Sequence, residues 1–106
     1  MAVIILPDAQ ADLLSLQDYM LDQWGEAAWM KAEDEIFDKL ENVDAGIFNG
    51  TLVQELASVG ILDYRNVYTS HHKLVYRRFG DDTVVYLIAG HRQDYPTLLA
   101  KRLLSR

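Results

Sequence analysis

Residues 61–89 read ILDYRNVYTSHHKLVYRRFGDDTVVYLIA and contain three segments with the pattern of β-strands. In segments 61–68, 73–79 and 83–89 the apolar residues alternate with polar ones or run without a break, as they do in half-buried and fully buried strands. Between the last two segments, Gly80-Asp81-Asp82 supplies the residues of a hairpin turn. The stretch therefore predicts a three-stranded antiparallel meander, in which the almost wholly apolar segment 83–89 is a central strand.

The residues before this stretch predict one strand and two helices. Residues 2–6 (AVIIL) form a β-branched run typical of a buried strand, and Pro7-Asp8 ends it, with Asp8 as the predicted N-cap of a helix. Apolar residues then recur every three or four positions in two stripes separated by Gly25, which predicts an antiparallel helical hairpin. The two stripes are Ala9, Leu13, Leu16, Met20 and Trp24, and then Trp29, Ala32, Ile36, Leu40 and Val43.

The remaining segments connect these elements and close the chain. Residues 44–51 contain two glycines and an asparagine and predict a loop, whereas residues 52–56 fit helix and strand equally. Tyr95-Pro96-Thr97 predicts the start of a short C-terminal helix over residues 98–104. The expected fold is one α+β domain over residues 1–106, with an N-terminal strand, a helical hairpin, a meander and a terminal helix.

Composition excludes several classes of protein. The 106 residues include no cysteine, which excludes disulfides, zinc–thiolate sites and thiol nucleophiles. The longest apolar runs have five or six residues, far fewer than the roughly 20 that cross a bilayer, and no signal peptide with a basic start is present. We therefore expect a cytoplasmic protein without membrane association.

Charge is divided unevenly along the chain. Residues 1–57 hold twelve acids and two bases, whereas residues 58–106 hold four acids and eight bases, within a formal net charge of −6. Such a division is typical of a cationic surface for an acidic partner, and it also arises when acidic helix faces are simply solvated. The eight bases of the second half are Arg65, Lys73, Arg77, Arg78, Arg92, Lys101, Arg102 and Arg106.

Motifs for metals, nucleotides and nucleophiles are missing from the sequence. His71 and His72 are adjacent, and His91 lies far along the chain, so the spacing of three or four residues that places two ligands on one helix face is missing. Neither a dinucleotide-binding nor a phosphate-binding glycine motif occurs, and no serine lies in a nucleophile elbow. We expect no metal and no cofactor, and the roles of His71 and His72 stay open.

One set of basic and polar side chains could carry chemistry. In the predicted meander Arg65, Arg77 and Arg78 lie on two neighbouring strands, and His91-Arg92 and Tyr95 follow the last strand. If these side chains converge, the guanidinium groups could hold a phosphodiester, and the imidazole and phenol could transfer protons in metal-independent RNA cleavage. The alternative is that Arg65 and Arg92 only form surface ion pairs, with Asp63 and Asp94.

At these residues the sequence resembles the RelE/ParE superfamily of bacterial toxins from toxin–antitoxin modules, and it is closest to the ParE-like branch. The resemblance extends over nearly the whole chain, and it depends on the order and spacing of short motifs. These motifs are Pro7-x-Ala9-x-x-Asp12-Leu13, Tyr19, Gly46, Tyr64-Arg65, His72-Lys73-Leu74-Val75-Tyr76-Arg77, residues 84–88, His91-Arg92-Gln93-Asp94 and Arg102-Leu103-Leu104.

The resemblance implies a compact sheet covered by the helical hairpin. It also implies a cognate antitoxin with an acidic C-terminal segment, which would bind the toxin in a hetero-oligomer and fold on its surface. ParE-like members inhibit DNA gyrase through protein–protein binding, and RelE-like members are ribosome-dependent mRNA endonucleases. A role in plasmid stabilization belongs to the same family context.

Two features of the sequence favour the gyrase-inhibiting branch. Residues 44–61 contain no lysine or arginine, and the net charge is negative, which disfavours binding to ribosomal RNA at physiological salt. The first hypothesis is therefore a gyrase inhibitor that binds through one cationic side formed by the strands and the final helix. Its target contacts are Arg65, Arg77, Arg78, Arg92, Lys101, Arg102 and Arg106. The alternative is an mRNA endonuclease that uses Arg65, Arg78, His91 and Tyr95. A third hypothesis is an inactive module member that only binds its antitoxin.

Overall fold

The computed structural model describes residues 2–91 and 93–104, which form a five-stranded sheet with helices on both faces. The strand order is β1-β5-β4-β3-β2. The elements are β1 (Ala2–Ile5), α1 (Pro7–Gln23), α2 (Glu26–Asp44), β2 (Thr51–Leu52), α3 (Gln54–Ala57), β3 (Tyr64–Tyr68), β4 (His72–Phe79), β5 (Asp82–Gly90) and α4 (Tyr95–Leu99), which continues as a π-helical turn over Ala100–Leu104.

The meander predicted from the sequence is confirmed, and two further strands extend it. β3, β4 and β5 are antiparallel neighbours, and the apolar strand β5 lies inside the sheet rather than at its edge. β1 pairs with β5 in parallel, from Ala2 opposite Asp82 to Ile5 opposite Val85. The two-residue strand β2 pairs antiparallel with β3. The sheet is therefore mixed, because the chain crosses over through the helical hairpin between β1 and the meander.

The helical hairpin is confirmed, with one correction at its start. Gly25 joins the two helices with a φ of 92°, a left-handed conformation that glycine adopts without steric cost. Asp8 is not the N-cap: the cap position is Leu6, and α1 begins at Pro7. Proline suits the first helical position because its φ is already helical and the N–H group that it lacks would have had no partner there.

Two other boundaries differ from the sequence prediction. The strand expected over 61–68 begins only at Tyr64, and the segment 52–56 is divided between β2 and the single-turn helix α3. The C-terminal helix begins three residues earlier than expected, at Tyr95, and Asp94 caps it by accepting hydrogen bonds from the backbone N–H and the hydroxyl of Thr97.

The core has two layers, one on each face of the sheet. The hairpin covers one face, which we call the hairpin face, where Leu74 and Tyr76 of β4 are buried. α3 and the C-terminal helix cover the other, which we call the C-terminal face, where Val75 is buried. At this point Val75 pairs with Leu87 but Tyr76 pairs with Val85, so β5 has one extra residue, Tyr86, in a β-bulge.

Gly50 lies where the loop after α2 joins the sheet. Its N–H donates to the Tyr76 hydroxyl at 2.8 Å, and its carbonyl accepts from Arg65 Nη1 at 2.8 Å. A Cβ atom at this position would clash with the Asn66 carbonyl oxygen and lie 2.9 Å from Val67 Cγ1.

We expect Gly50→Ala to lower the free energy of unfolding by about 2 kcal/mol, because overpacking would displace β2 and disrupt both hydrogen bonds of Gly50. Urea denaturation followed by circular dichroism measures this loss.

Gly90→Ala is the matched control for this substitution. A Cβ atom there would meet Leu16 Cδ2 at 3.5 Å, which is ordinary van der Waals contact. We expect its stability to change by less than about 0.5 kcal/mol, as at sites without a special steric constraint. Equal stabilities for the two variants would show that the close approach of Gly50 to β3 does not constrain the fold.

Candidate functional site

Arg77 and Arg78 point to opposite faces of the sheet, so the single cationic side expected from the sequence does not form. Arg78 lies on the hairpin face, where Nη1 donates to the Val43 carbonyl at 3.0 Å and lies 3.5 Å from Asp44 Oδ1. Arg77 lies on the C-terminal face, where its guanidinium carbon is 4.4 Å from the Phe79 ring centroid. Successive side chains of a β-strand point to opposite faces of the sheet, so these two neighbours in β4 are separated.

Arg65 is held by its own chain. Its side chain donates to the Gly50 carbonyl, and it pairs across the sheet with Tyr76 on the hairpin face. Asp63, the alternative ion-pair partner predicted for Arg65, instead lies 3.9 Å from Arg77. Arg92 and Arg106, the other two predicted contact arginines, lie outside the described residues.

The side chains that would form a nuclease site do not converge. His91 donates its backbone N–H to the His71 carbonyl, just before β4 begins, whereas Arg78 lies near the other end of β4. Six residues of extended strand separate the two ends by about 20 Å. Arg65, Arg78, His91 and Tyr95 therefore do not share one site among the described residues, because the strands carry them to different ends and faces of the sheet.

Tyr95 is part of the core rather than of an accessible site. Its side chain is 6% exposed, and its hydroxyl accepts a hydrogen bond from Asn66 Nδ2 at 3.0 Å. Burial raises the pKa of Tyr95 to about 12. The phenol thus stays protonated at physiological pH, and its burial disfavours the role of acid or base that the nuclease hypothesis assigns to it.

Arg102 joins the C-terminal helix to α1 across the edge of the sheet. Its two terminal nitrogens each donate to one carboxylate oxygen of Asp12 at 2.9 Å, and Nη1 also donates to the Tyr86 carbonyl at 2.9 Å. Asp12 in turn accepts from the Ile88 N–H at 3.1 Å. These contacts give hydrogen-bond partners to the Tyr86 carbonyl and the Ile88 N–H of β5, which lie beyond the point where β1 ends. The hydrogen bonds that Arg102 donates to Asp12 raise the pKa of Arg102, whereas its partial burial opposes this shift.

A pocket of about 470 Å³ opens on the C-terminal face beside this ion pair. The rings of Tyr64 and Tyr86 form its wall and meet edge to face, with centroids 5.1 Å apart. The bulge in β5 places Tyr86 here, and burial raises the pKa of its phenol. We call this the tyrosine pocket; its lining residues are Leu6, Pro7, Asp8, Tyr64, Tyr86, Arg102 and Leu103.

A second pocket, of about 230 Å³, lies at the end of the hairpin. His72 is 2% exposed there, and its Nδ1 atom is buried without a hydrogen-bond partner. Burial lowers the pKa of His72 to about 4, and the nearby His71 and His91 add to the effect, so His72 is neutral at physiological pH. We call this the hairpin pocket; its lining residues are Tyr19, Met20, Trp24, Ser70, His71, His72 and His91.

Sequence reasoning missed both pockets and the ion pair between Asp12 and Arg102. The adjacent histidines were the only signal of the hairpin pocket, and nothing local indicated the bulge that forms the tyrosine pocket. Within residues 2–91 and 93–104, no three His, Asp or Glu side chains are grouped so that they could hold a metal ion. None of the helices in these ranges is long and apolar enough to span a membrane.

Comparison with known proteins agrees with this architecture. The chain matches the family described as ParE toxin of type II toxin-antitoxin system, parDE, over residues 3–95. It is also similar to a chain in the solved structure of the chromosomal ParDE TA system from P. aeruginosa, with a TM-score of 0.65 and 18% identity, over 85% of this chain and 95% of that chain. A search of curated proteins finds no match.

The mixed sheet, with a helical hairpin on one face and a short C-terminal helix on the other, has the architecture of the RelE/ParE superfamily. Within it, the chain belongs to the ParE toxin family of type II toxin–antitoxin systems. Membership of this family implies an antitoxin as a partner.

Proposed function

We propose that this toxin inhibits DNA gyrase by binding it, and that a cognate antitoxin neutralises the toxin in the cytoplasm. Membership of the ParE family supports the proposal. The observation that carries it is the separation of the four side chains that a RelE-like nuclease would need. An inhibitor that acts through binding needs a surface with the right shape and charge, and it does not need convergent acids and bases.

The C-terminal face is the proposed surface for the target. It combines the tyrosine pocket with Arg77, whose guanidinium carbon lies 5.9 Å from the Tyr64 ring centroid, and with the exposed Lys101 on the turn that carries Leu103. Tyrosine and arginine are enriched among the residues that dominate binding energy at protein interfaces.

We retain only some of the seven basic residues that the sequence predicted as target contacts. Arg65 and Arg78 donate to carbonyl groups of their own chain, and Arg102 is occupied by Asp12. Arg77 and Lys101 are the described members of that set that we retain as target contacts. We assign Arg102 the role of positioning the C-terminal helix that carries Lys101.

We propose that the antitoxin binds through an acidic C-terminal segment that folds on the toxin. The basic residues of the second half of the chain favour an acidic partner, and association in a hetero-oligomer would cover exposed apolar side chains. Such a module fits a role in plasmid stabilization.

Induction of the toxin without its antitoxin, followed by parallel assays of DNA supercoiling and mRNA integrity, tests the proposed target. We expect gyrase supercoiling to be inhibited while transcripts stay intact. The double variant Arg77→Gln/Lys101→Gln should weaken inhibition about tenfold, since each lost contact of an interface residue costs about 0.5–1 kcal/mol. Supercoiling assays with purified toxin and gyrase measure the effect.

Lys31→Gln/Lys39→Gln is the matched control. It removes the same charge from the helical hairpin, and like Arg77, Lys39 lies 4.4 Å from an aromatic centroid, that of Phe48. We expect this variant to inhibit gyrase as the native toxin does. Undisturbed supercoiling with cleaved transcripts would support the endonuclease instead, and no growth arrest at all would support an inactive module member.

A further inference from the structure

Two exposed aromatic rings at the turn of the hairpin differ from the other exposed rings of the protein. Trp24 is 60% exposed and Tyr19 is 48% exposed, and both line the hairpin pocket. Elsewhere the chain covers exposed rings with its own cations. The distances to the ring centroids are 4.4 Å for Lys39 and Phe48, 5.7 Å for Lys73 and Tyr68, and 4.4 Å for Arg77 and Phe79.

Tyr19 and Trp24 have no such cover from the described residues. No lysine or arginine within 2–91 and 93–104 lies over either ring or lines the pocket between them. Among the described aromatic and histidine rings, that of His71 is the one paired with Trp24, with centroids 6.3 Å apart and a tilt of 47°. The faces of these two rings therefore keep the negative potential that attracts a cation.

Two carboxylates lie beside the aromatic residues of the pocket in sequence, and a third contacts its lining residue Ser70. Asp22 lies three residues after Tyr19 on α1, and Glu26 begins α2 two residues after Trp24; both are exposed, and neither has a described cation within ion-pair distance. Glu35 accepts from the N–H and hydroxyl of Ser70 at 3.1 and 2.8 Å, which places it at the pocket rim. These hydrogen bonds lower the pKa of Glu35, so it stays ionised.

The buried histidine of the pocket adds no positive charge to it. His72 lines the pocket, is almost completely buried and is neutral at physiological pH. Its Nδ1 atom is buried and has no hydrogen-bond partner among the described residues.

We propose that the hairpin pocket is a docking site for a basic segment of a partner protein. One arginine or lysine of that segment lies against Trp24 and Tyr19, and Asp22, Glu26 and Glu35 contact its positive charge. Charge complementarity favours this occupant, because the carboxylates of Asp22, Glu26 and Glu35 would repel an acidic segment. The tyrosine pocket lies at the other end of α1, about 24 Å away by helical rise, so this site is independent of the proposed gyrase surface.

Binding of short probe peptides to the full chain tests the inference. The probes are acetyl-Gly-Arg-Gly-Arg-Gly-amide and the same peptide with glutamate at both arginine positions, and binding is followed through the NMR signals of the tryptophan indoles and histidine rings. We expect the arginine peptide to shift the Trp24 indole signal but not that of the buried Trp29. The glutamate peptide should shift neither.

Three variants decide the outcome. Trp24→Leu and the double variant Asp22→Asn/Glu26→Gln should each weaken binding of the arginine peptide about tenfold. Phe79→Leu removes an exposed ring that Arg77 already covers, so it should leave this binding unchanged. Circular dichroism confirms that each variant is folded. Equal binding of the two peptides, or equal affinities for the Trp24 and Phe79 variants, would refute the proposal. Self-association of the chain through Trp24 in sedimentation experiments would also refute it, since the occupant would then be a second copy.

Discussion

Replacing Asp12 by alanine should lower the free energy of unfolding by about 3 kcal/mol. A loss of this size is typical when one partner is removed from a partly buried, hydrogen-bonded ion pair. The substitution removes both 2.9 Å hydrogen bonds to Arg102 and leaves the Ile88 N–H of β5 without its acceptor. For a domain of this size the loss corresponds to a decrease in Tm of about 12–20 °C. Urea denaturation and thermal melting of the purified toxin measure both quantities.

Asp8→Ala is the control for this prediction. Asp8 lies 3.8 Å from Arg102 Nε but is largely exposed, so water and salt already screen its charge. We expect its stability to change by less than about 0.5 kcal/mol. A double-mutant cycle with Arg102→Ala then isolates the coupling to Asp12. If Asp12→Ala were as stable as Asp8→Ala, the ion pair would not hold the C-terminal helix in place.

The ion pair also connects stability with the proposed function. Arg102 lies next to Lys101 and Leu103 on the same π-helical turn, so its contact with α1 positions one wall of the tyrosine pocket. We therefore expect Asp12→Ala to weaken gyrase inhibition even at temperatures where the variant remains folded. In this respect Asp12 is a positioning residue, since it acts on the target surface through Arg102.

Lowering the pH from 7.5 to 4 should destabilise the protein by up to about 3 kcal/mol through His72 alone. Burial lowers the pKa of His72 from 6.5 to about 4 in the folded chain, whereas the unfolded chain keeps the ordinary value. Between these values the unfolded state binds a proton that the folded state does not bind, so stability decreases as the pH decreases. The loss begins near pH 6.5 and is complete near pH 4. Over this range each tenfold rise in proton concentration costs the folded state about 1.4 kcal/mol.

The contribution of His72 is measured by comparison with variants. Free energies of unfolding at pH 7.5 and 4.5 are compared for the native chain, for His72→Leu and for the exposed neighbour His71→Gln. The native chain and the His71 variant should lose more stability on acidification than the His72 variant, and the difference should be about 2–3 kcal/mol. Identical pH profiles for all three proteins would show that His72 accepts a proton in the folded state.

Local patterns in the sequence were sufficient for the main helices and strands and for their order, but not for the short elements β2 and α3. The two apolar stripes and the alternating strands are properties of residues only a few positions apart, so the helical hairpin and the meander could be predicted without knowledge of their packing. The same alternation separates Arg77 from Arg78. The predicted cationic side was wrong because charges were grouped by position along the chain rather than by face of the sheet.

Tertiary structure alone decided which side chains meet. Asp12 and Arg102 are 90 residues apart, and they reach each other only because β1 stops short of the end of β5. The tyrosine pocket depends on one extra residue in β5, and the unpartnered Nδ1 of His72 depends on packing between the hairpin and β4. Periodicity specifies how each element folds, whereas long-range contacts depend on register and on the burial that all elements create together.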